Sequence, residues 1–255
     1  MRRLQILYAI LSLPALVFSQ NATDKDQDLK KSEVYTANQK VMKVEIWSDV
    51  VCPFCYIGKR KFERALDSFA QKDQLEIVWK SFQLDPEASS SGTDYQKNLS
   101  DRKGWSPEQT RQIIDNVSKT AADVGLDYHF EKAIAANSFD AHRLSHLALR
   151  HGLQDAAEEA LFKAHFIEGK NIADHTVLAQ IGATIGLDST AVKNMLESQE
   201  FADNVRNDIS EASQLQVSGV PFFVFDRKYA VSGAQDPEVF LQTLQKAFET
   251  IDAKN

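Results

Sequence analysis

Cysteine is scarce in this sequence: the 255 residues contain only two, Cys52 and Cys55. A chain with so few cysteines cannot be held together by a network of disulfides. It also cannot build a zinc site from cysteine alone, because a structural zinc ion needs four ligands and no histidine lies close to the pair in sequence. Only two residues separate the cysteines, so one short motif contains every thiol of the protein.

An excess of basic residues is also absent. The chain has 29 Lys and Arg against 36 Asp and Glu, which gives a net charge of −7 at neutral pH. Without the predicted signal segment described below, 27 basic residues face 36 acidic ones. A protein of this charge is a poor partner for nucleic acid or for an anionic membrane surface. We therefore expect neither as a ligand.

Long apolar runs are absent except near the N-terminus, where residues 4–18 are largely apolar. Arg2 and Arg3 precede this run and small residues suit cleavage at its end, so residues 1–19 predict a secretory signal peptide. The run is short for a spanning helix and contains Pro14, so no stable membrane anchor is expected. Residues 20–40 are polar and predict a solvated linker. The sequence thus predicts an exported protein, periplasmic or secreted.

The most informative stretch joins a strand, the two cysteines and a helix. Apolar residues with high strand propensity begin at Val44, and Ser48 and Asp49 end that run. After Cys55, apolar residues recur with the spacing of one helix face, at Phe62, Ala65, Leu66 and Phe69. The cysteines are therefore predicted at a strand-to-helix junction, on the first turn of the helix. Pro53 suits that turn because its fixed φ is already helical.

This placement predicts redox chemistry. Free backbone N–H groups and the positive end of the helix dipole would point at the sulfur of Cys52 and favour its thiolate, which is the nucleophilic form. Cys55 would lie one turn further into the helix, more buried, where it could resolve a mixed disulfide formed by Cys52. A metal site or an inert structural disulfide is the weaker interpretation. Phe54, between the cysteines, is expected to face solvent.

The rest of the chain alternates between strand and helix patterns. Residues 75–84 predict a strand and residues 87–94 a Ser/Gly-rich loop. Ser106 to Gln109 has the pattern of a capping box that starts a helix ending at Gly125. Further helices are predicted over 139–150, 156–168, 175–185, 190–197 and 201–215. A buried strand over 220–225, a hairpin partner over 229–231 and a final helix beginning near Asp236 complete the chain.

This order of elements and four motifs resemble the DsbA-type thioredoxin-fold thiol–disulfide oxidoreductases, and the FrnE-like subgroup in particular. The motifs carrying the resemblance are Trp47 to Gly58, Asn137 to Arg143, Phe162 to Phe166, and Gly219 to Phe225. The resemblance implies an α/β thioredoxin fold interrupted by an inserted all-α helical domain. The thioredoxin domain would comprise residues 41–85 and 217–255, and the inserted domain residues 86–216.

The resemblance also implies residue roles. Cys52 would attack, Cys55 would resolve, and Pro221 would be a cis proline facing the pair. Such proteins need no cofactor beyond the redox-active disulfide between Cys52 and Cys55. Their partners would be cysteine-containing client proteins and a redox recycling partner or glutathione. The sequence departs from the DsbA pattern at Phe54, where DsbA has histidine, and this departure affects the expected redox potential.

Several other residues are weaker candidates. A proline at the start of a buried strand has no N–H to donate to the neighbouring strand, so the position of Pro221 calls for an explanation. A cis Val220–Pro221 bond would provide one, because it would present the backbone of Val220 to an extended substrate. His142 and His146 have the spacing of two metal ligands on a helix, but packing or exposure is favoured. By analogy with the subgroup, His142 and Arg143 could line the cleft between the domains.

Two residues beside the motif have competing interpretations. Glu45 could be a buried acid behind Cys55, although an exposed glutamate at a strand edge is favoured. Tyr56 could add an apolar rim to the sulfurs or simply pack in the core.

Two other functions stay open at this point. A kappa-type glutathione-dependent transferase or isomerase would share the interrupted fold, but such proteins usually have serine at the position of Cys52 and need no second cysteine. A non-catalytic binding module or chaperone could keep the fold for its cleft. The first expectation is an exported enzyme that forms or reshuffles disulfides in other proteins by thiol–disulfide exchange.

Overall fold

The computed structural model describes residues 41–252 of the chain. The predicted signal peptide and the predicted linker over 20–40 lie outside the described residues. Within the described part, no helix is both long enough and apolar enough to cross a membrane.

A four-stranded mixed sheet forms the centre of the fold, in the order β2-β1-β5-β6. Its strands are β1 (Met42–Ser48), β2 (Leu75–Ser81), β5 (Phe222–Phe225) and β6 (Tyr229–Ser232). β1 pairs parallel with β2 and antiparallel with β5, so Ile46 lies opposite both Trp79 and Phe223. A hairpin joins β5 to β6. The predicted strands are confirmed, except that β2 ends at Ser81 and not at residue 84, and β5 begins at Phe222 and not at residue 220.

Two helices cover one face of this sheet: α1 (Pro53–Asp67), which begins directly after Cys52, and α9 (Pro237–Asp252). Three aromatic rings join the layers. Phe62 of α1, Phe223 of β5 and Phe240 of α9 have ring centroids 4.6–5.6 Å apart. All three are buried. Aromatic rings at these separations add to the energy of burial, which fixes the helices to the sheet.

Seven helices and a small two-stranded sheet lie between β2 and β5. The helices are α2 (Tyr95–Lys103), α3 (Pro107–Ala122), α4 (Phe139–Arg150), α5 (Gln154–Phe166), α6 (His175–Thr184), α7 (Ser189–Glu197) and α8 (Ala202–Gln214). The strands are β3 (Thr93–Asp94) and β4 (Ile134–Ala135). The helices predicted from periodicity are confirmed to within about two residues. The expected all-α insertion therefore also contains one short antiparallel pair.

Helix α2 was not predicted because most of its residues are polar and Tyr95 and Leu99 alone give little periodicity. The residues at its two ends indicate the helix instead. The carboxylate of Asp94 accepts from the backbone N–H of Lys97 at 2.7 Å, and Gly104 closes the helix with φ of 66°. A side-chain cap at the start and a left-handed glycine at the end define a helix in which apolar spacing is weak.

Side chains of the inserted helices form hydrogen bonds with the backbone of β2, at one edge of the sheet. The amide of Gln154 accepts from the backbone N–H of Trp79 at 3.0 Å and donates to its carbonyl at 2.9 Å. Asp208 of α8 accepts from the N–H of Ser81 at 3.0 Å. These side chains take the place of a further strand and pair three backbone groups of this edge.

The favoured interpretation of Glu45 as an exposed glutamate at a strand edge is wrong. Its side chain is buried, and its carboxylate pairs with Arg227 and lies 4.0 Å from the Lys43 ammonium. The reason is the strand order, which places β1 in the middle of the sheet. Ion pairing accounts for the buried carboxylate.

Candidate active site

The two cysteines lie at the start of α1, as the sequence predicts. Cys52 is the N-cap residue with extended backbone angles, and Pro53 follows in the first turn. The backbone N–H of Cys52 donates to the carbonyl of Asp49 at 2.9 Å, and the N–H of Cys55 donates to the carbonyl of Cys52 at 3.0 Å. No side chain caps this end of the helix, so Cys52 lies at the positive end of the helix dipole without a competing capping group.

The surroundings of the two thiols differ. Both cysteines are free thiols in this structure. Cys52 is 4% exposed, while Cys55 has no exposed surface. Burial is the main cause that raises the pKa of Cys55 well above its usual value, and the neighbouring Cys52 raises it further. The backbone N–H of Asp49 and the hydroxyl of Ser48 partly offset this rise by favouring the Cys55 thiolate.

Val220 and Pro221 lie against this motif, and the peptide bond between them is cis. The thiol of Cys52 donates to the carbonyl of Val220 over 3.5 Å. A Cβ atom added to Gly58 in α1 would lie only 2.9 Å from the Cγ of Pro221. The absence of a side chain at Gly58 therefore lets the loop that contains Val220 and Pro221, here called the proline loop, approach the helix that carries the cysteines.

A pocket of about 350 Å³ opens beside Cys52. One wall comes from the cysteine motif and the proline loop, with Cys52, Phe54 and Val220 among its residues. The opposite wall comes from the loop after β2 and from α2, α3 and the segment after them. Its apolar residues are Leu84, Ala88, Tyr95, Leu99, Trp105, Ile113, Ile114, Val117, Phe130, Ala135 and Ala136.

Phe54 and Tyr56 flank Cys55 but face different surroundings. Phe54 is 44% exposed at the pocket, which confirms that the motif turns it toward solvent. Tyr56 is buried, its hydroxyl donates to Glu159 at 2.6 Å, and its ring stacks on Phe162 at 4.9 Å. Tyr56 is therefore a core residue and forms no part of the rim.

Asp49 is a site residue that the sequence reasoning missed. Its buried carboxylate accepts from the backbone N–H of Leu84 at 2.7 Å and lies 3.4 Å from Nε2 of His142. Nε2 also lies 2.9 Å from the carbonyl of Phe82. Burial lowers the pKa of His142, but Asp49, together with Glu158 and the carbonyl of Phe82, outweighs it and the net shift is upward. This cluster fixes the loop before Cys52 to the loop after β2.

Tyr128 was also missed. Its hydroxyl donates to the carbonyl of Pro53 at 2.7 Å, and its ring stacks on Phe166 at 4.7 Å. The contact holds the first turn of α1 against the inserted helices. No local sequence pattern could have shown it, because Tyr128 and Pro53 are 75 positions apart.

The other predicted candidates lie away from the pocket. His142 packs against Asp49 behind the motif, and neither it nor Arg143 is among the pocket residues. Arg143 donates to the carbonyls of Glu200 at 2.8 Å and Ser198 at 2.7 Å, near the C-terminal end of α7. His146 lies 3.0 Å from Asp208, which also pairs with Lys80. Residues 41–252 contain no group of three or more His, Cys, Asp or Glu placed to hold a metal ion.

The chain has a mixed sheet interrupted by helices, two cysteines at a helix start and a loop with a cis proline that faces them. A comparison with known protein families agrees with this arrangement. The model of the DSBA-like thioredoxin domain matches residues 43–245. The chain belongs to the DSBA-like thioredoxin domain family. It thus has the thioredoxin fold of that family, and the FrnE-like subgroup stays a prediction.

The chain is also similar to individual proteins and solved structures. The crystal structure of a probable DsbA oxidoreductase from Streptomyces coelicolor is 41% identical, with a TM-score of 0.78, over 82% of this chain and 90% of that one. The uncharacterized protein YwbO of Bacillus subtilis is 28% identical over 77% of this chain and 92% of its own length. The cytosolic disulfide reductase DsbM of Pseudomonas aeruginosa, solved with GSH, is 15% identical over 83% of this chain and 98% of that one, with a TM-score of 0.56.

Proposed function

We propose that this protein is an exported thiol–disulfide oxidoreductase that forms or reshuffles disulfides in other proteins. One observation carries the proposal. Of two adjacent thiols at a helix start, Cys52 lines an open pocket and Cys55 lies behind it with no exposed surface. This is the arrangement required of an attacking thiol and a resolving thiol. The predicted signal peptide supports the exported location.

The exchange proceeds in two steps. When the pair is oxidised, a client thiolate attacks the sulfur of Cys52, the Cys52–Cys55 bond breaks, and Cys55 leaves as a thiolate that takes up a proton. A second client thiolate then attacks the client sulfur of this mixed disulfide and releases Cys52. Two electrons pass from the client to the cysteine pair, and the client gains one disulfide. Running the steps in reverse reduces a client disulfide.

The proline loop would hold the client during these steps. The carbonyl of Val220 lies within reach of Cys52, at the start of the loop that leads into β5. A client strand lying along Gly219 and Val220 would meet little obstruction, because no heavy atom beyond Gly219 and its chain neighbours lies within 4 Å of the Cβ position of Gly219. Backbone pairing of this kind accepts many sequences. Glutathione or a protein thiol–disulfide partner would return the cysteine pair to its starting redox state.

The proposal is tested by two assays on the purified protein. In a glutathione buffer, the wild type should accelerate the recovery of activity by a reduced and denatured disulfide-containing enzyme. With dithiothreitol as electron donor, it should accelerate the reduction of insulin.

The Cys52→Ser variant serves as the control and should show neither activity, because serine cannot form the mixed disulfide. Equal rates for wild type and Cys52→Ser in both assays would contradict the proposal. Suppressed aggregation without any thiol exchange would point to a binding module of the same fold.

A further inference from the structure

Ser48 is a buried serine at the end of β1, close to the resolving cysteine. It is 1% exposed, and its hydroxyl has no hydrogen-bond partner among the described residues. Most buried hydroxyl groups have such a partner, because removing them from water without one costs free energy. In the dithiol form, residues 41–252 therefore include a buried donor that none of their other groups uses.

The geometry of β1 directs this hydroxyl toward Cys55. Side chains alternate between the two faces of a strand, so Ser48 shares a face with Val44 and Ile46. Those two residues share a buried cluster with Cys55, whereas Trp47 belongs to a separate one. Ser48 thus lies on the face that α1 covers. Burial raises the pKa of Cys55, and the hydroxyl of Ser48 beside the sulfur acts against that rise.

A donor beside Cys55 matters at one stage of the exchange. Because burial holds its pKa well above the usual value, Cys55 is a neutral thiol near pH 7 once the reaction is over. While the Cys52–Cys55 bond breaks, however, the Cys55 sulfur takes the bonding electrons and becomes an anion with no exposed surface. Such an anion is costly unless fixed hydrogen-bond donors face it. The backbone N–H of Asp49 is one donor, and the hydroxyl of Ser48 is a second.

We infer that the Ser48 hydroxyl donates a hydrogen bond to the Cys55 sulfur while Cys55 leaves as a thiolate, and that Ser48 is thereby a catalytic residue of the exchange. The inference rests on the proposed function, because opening of the Cys52–Cys55 bond is what produces this thiolate. The client sulfur bonds to Cys52, the Cys52–Cys55 bond breaks, and Cys55 then takes up a proton while Ser48 keeps its own. Because the hydroxyl has no partner in the dithiol form, the new hydrogen bond stabilises the transition state more than the product.

The rate of disulfide opening tests this role. Oxidised protein would be mixed with excess glutathione at pH 7 and quenched with acid, and the initial rate of the glutathione adduct on Cys52 would be measured by mass. Ser48→Ala should lower this rate roughly 10- to 100-fold, as expected for one hydrogen bond to a charged group. The reduction potential at pH 7 should stay unchanged, because both end states carry no charge on Cys55.

Ser81→Ala is the matched control. Ser81 lies opposite Ser48 in the ladder between β1 and β2 and is also buried, but its hydroxyl lies 3.2 Å from Nε2 of His146. Ser81→Ala should therefore lower the free energy of unfolding in urea and leave the opening rate unchanged. Ser48→Ala should show the opposite pattern, because it removes a buried hydroxyl without a partner and so costs no stability in the reduced protein.

Equal opening rates for wild type and Ser48→Ala would overturn the inference and leave the proposed function intact. The inference would also be overturned if Ser48→Ala were slower but less stable or shifted in potential, or if Ser81→Ala were equally slow, since the hydroxyl would then support the fold. A wild-type disulfide that opens with neither glutathione nor dithiothreitol would overturn both the inference and the proposed function.

Discussion

Cys52 lines the pocket, whereas Cys55 lies behind it with no exposed surface and with its pKa raised by burial. Since the thiolate is the reactive form, this difference in surroundings becomes a difference in rate. We predict that iodoacetamide modifies Cys52 at least about tenfold faster than Cys55 near neutral pH, as peptide mapping after brief labelling would show. Faster labelling of Cys55 would reverse the assigned roles.

The same contrast predicts what happens when the resolving thiol is removed. A Cys55→Ala variant should still attack client disulfides but should accumulate mixed disulfides, since nothing displaces the client from Cys52. Non-reducing gels after mixing with a disulfide-containing protein would show a shifted band that dithiothreitol removes. A Cys52→Ala variant is the control and should give no such band. Failure of the Cys55→Ala variant to form any adduct would contradict the proposed order of attack.

Phe54 is the exposed residue between the two cysteines and brings no charge to them. A histidine there would place an imidazolium near Cys52, stabilise the reduced thiolate form and make the pair more oxidising. An exposed charge pair contributes up to about 1 kcal/mol, so Phe54→His should raise the reduction potential by up to about 20 mV at pH 6. The effect should shrink at pH 8, where histidine is neutral. Phe54→Leu should not show it, and an equal shift in both variants would contradict the argument.

At the scale of elements, the inserted helices complete the sheet by covering β2. Gln154 supplies two hydrogen bonds to the backbone of Trp79, both buried. Gln154→Ala leaves that donor and acceptor unsatisfied, so we expect a loss of about 2–4 kcal/mol in the free energy of unfolding. Urea denaturation measures this loss. Gln180→Ala, at an exposed position of α6, is the control and should change the free energy by less than about 0.5 kcal/mol.

Local patterns in the sequence were enough to predict most elements and the cysteine motif. Strand-to-helix junctions, helix periodicity and caps depend on neighbours in the chain, so α1 and the helices over 139–214 could be placed from residue spacing. The proline loop was placed through resemblance to a family. Helix α2 could not be predicted, because its polar surface has almost no apolar period.

Contacts between distant segments could not be predicted. Glu45 is buried because β1 lies between β2 and β5 and not at a sheet edge, and its carboxylate pairs with Arg227, which follows it by 182 positions. Asp49 acquires its role from Leu84 and His142, which follow it by 35 and 93 positions. No local pattern shows such pairs, and this is why the candidate site lacked Asp49 and Tyr128.

At the scale of the whole molecule, one buried histidine links stability to pH. His165 is fully buried, neither ring nitrogen has a hydrogen-bond partner in the described part of the chain, and burial lowers its pKa to about 4. The unfolded chain would bind a proton at this residue below about pH 6.5, while the folded protein resists doing so down to about pH 4. The unfolded state therefore binds more protons in this window, and stability falls as the pH falls.

The histidine gives a measurable acid sensitivity. Between pH 7 and pH 4.5 it should account for a loss of about 2–3 kcal/mol in the free energy of unfolding. His165→Leu removes the titrating group and keeps an apolar side chain, so this loss should be smaller in the variant by about that amount. Urea denaturation at both pH values measures the difference. Parallel pH dependence in wild type and His165→Leu would show that other groups govern acid stability.

The central claim is that Cys52 and Cys55 form one reversible two-electron redox centre. Equilibrating the purified protein against glutathione buffers, followed by alkylation and mass measurement, tests it most directly. We predict a single transition in which both thiols become protected together, at a potential between about −270 mV, as in thioredoxin, and about −120 mV, as in DsbA. A value below that interval would make the protein a reductant and not a donor of disulfides. Thiols that stay open to alkylation across all buffers, or that take up glutathione one at a time, would contradict the claim.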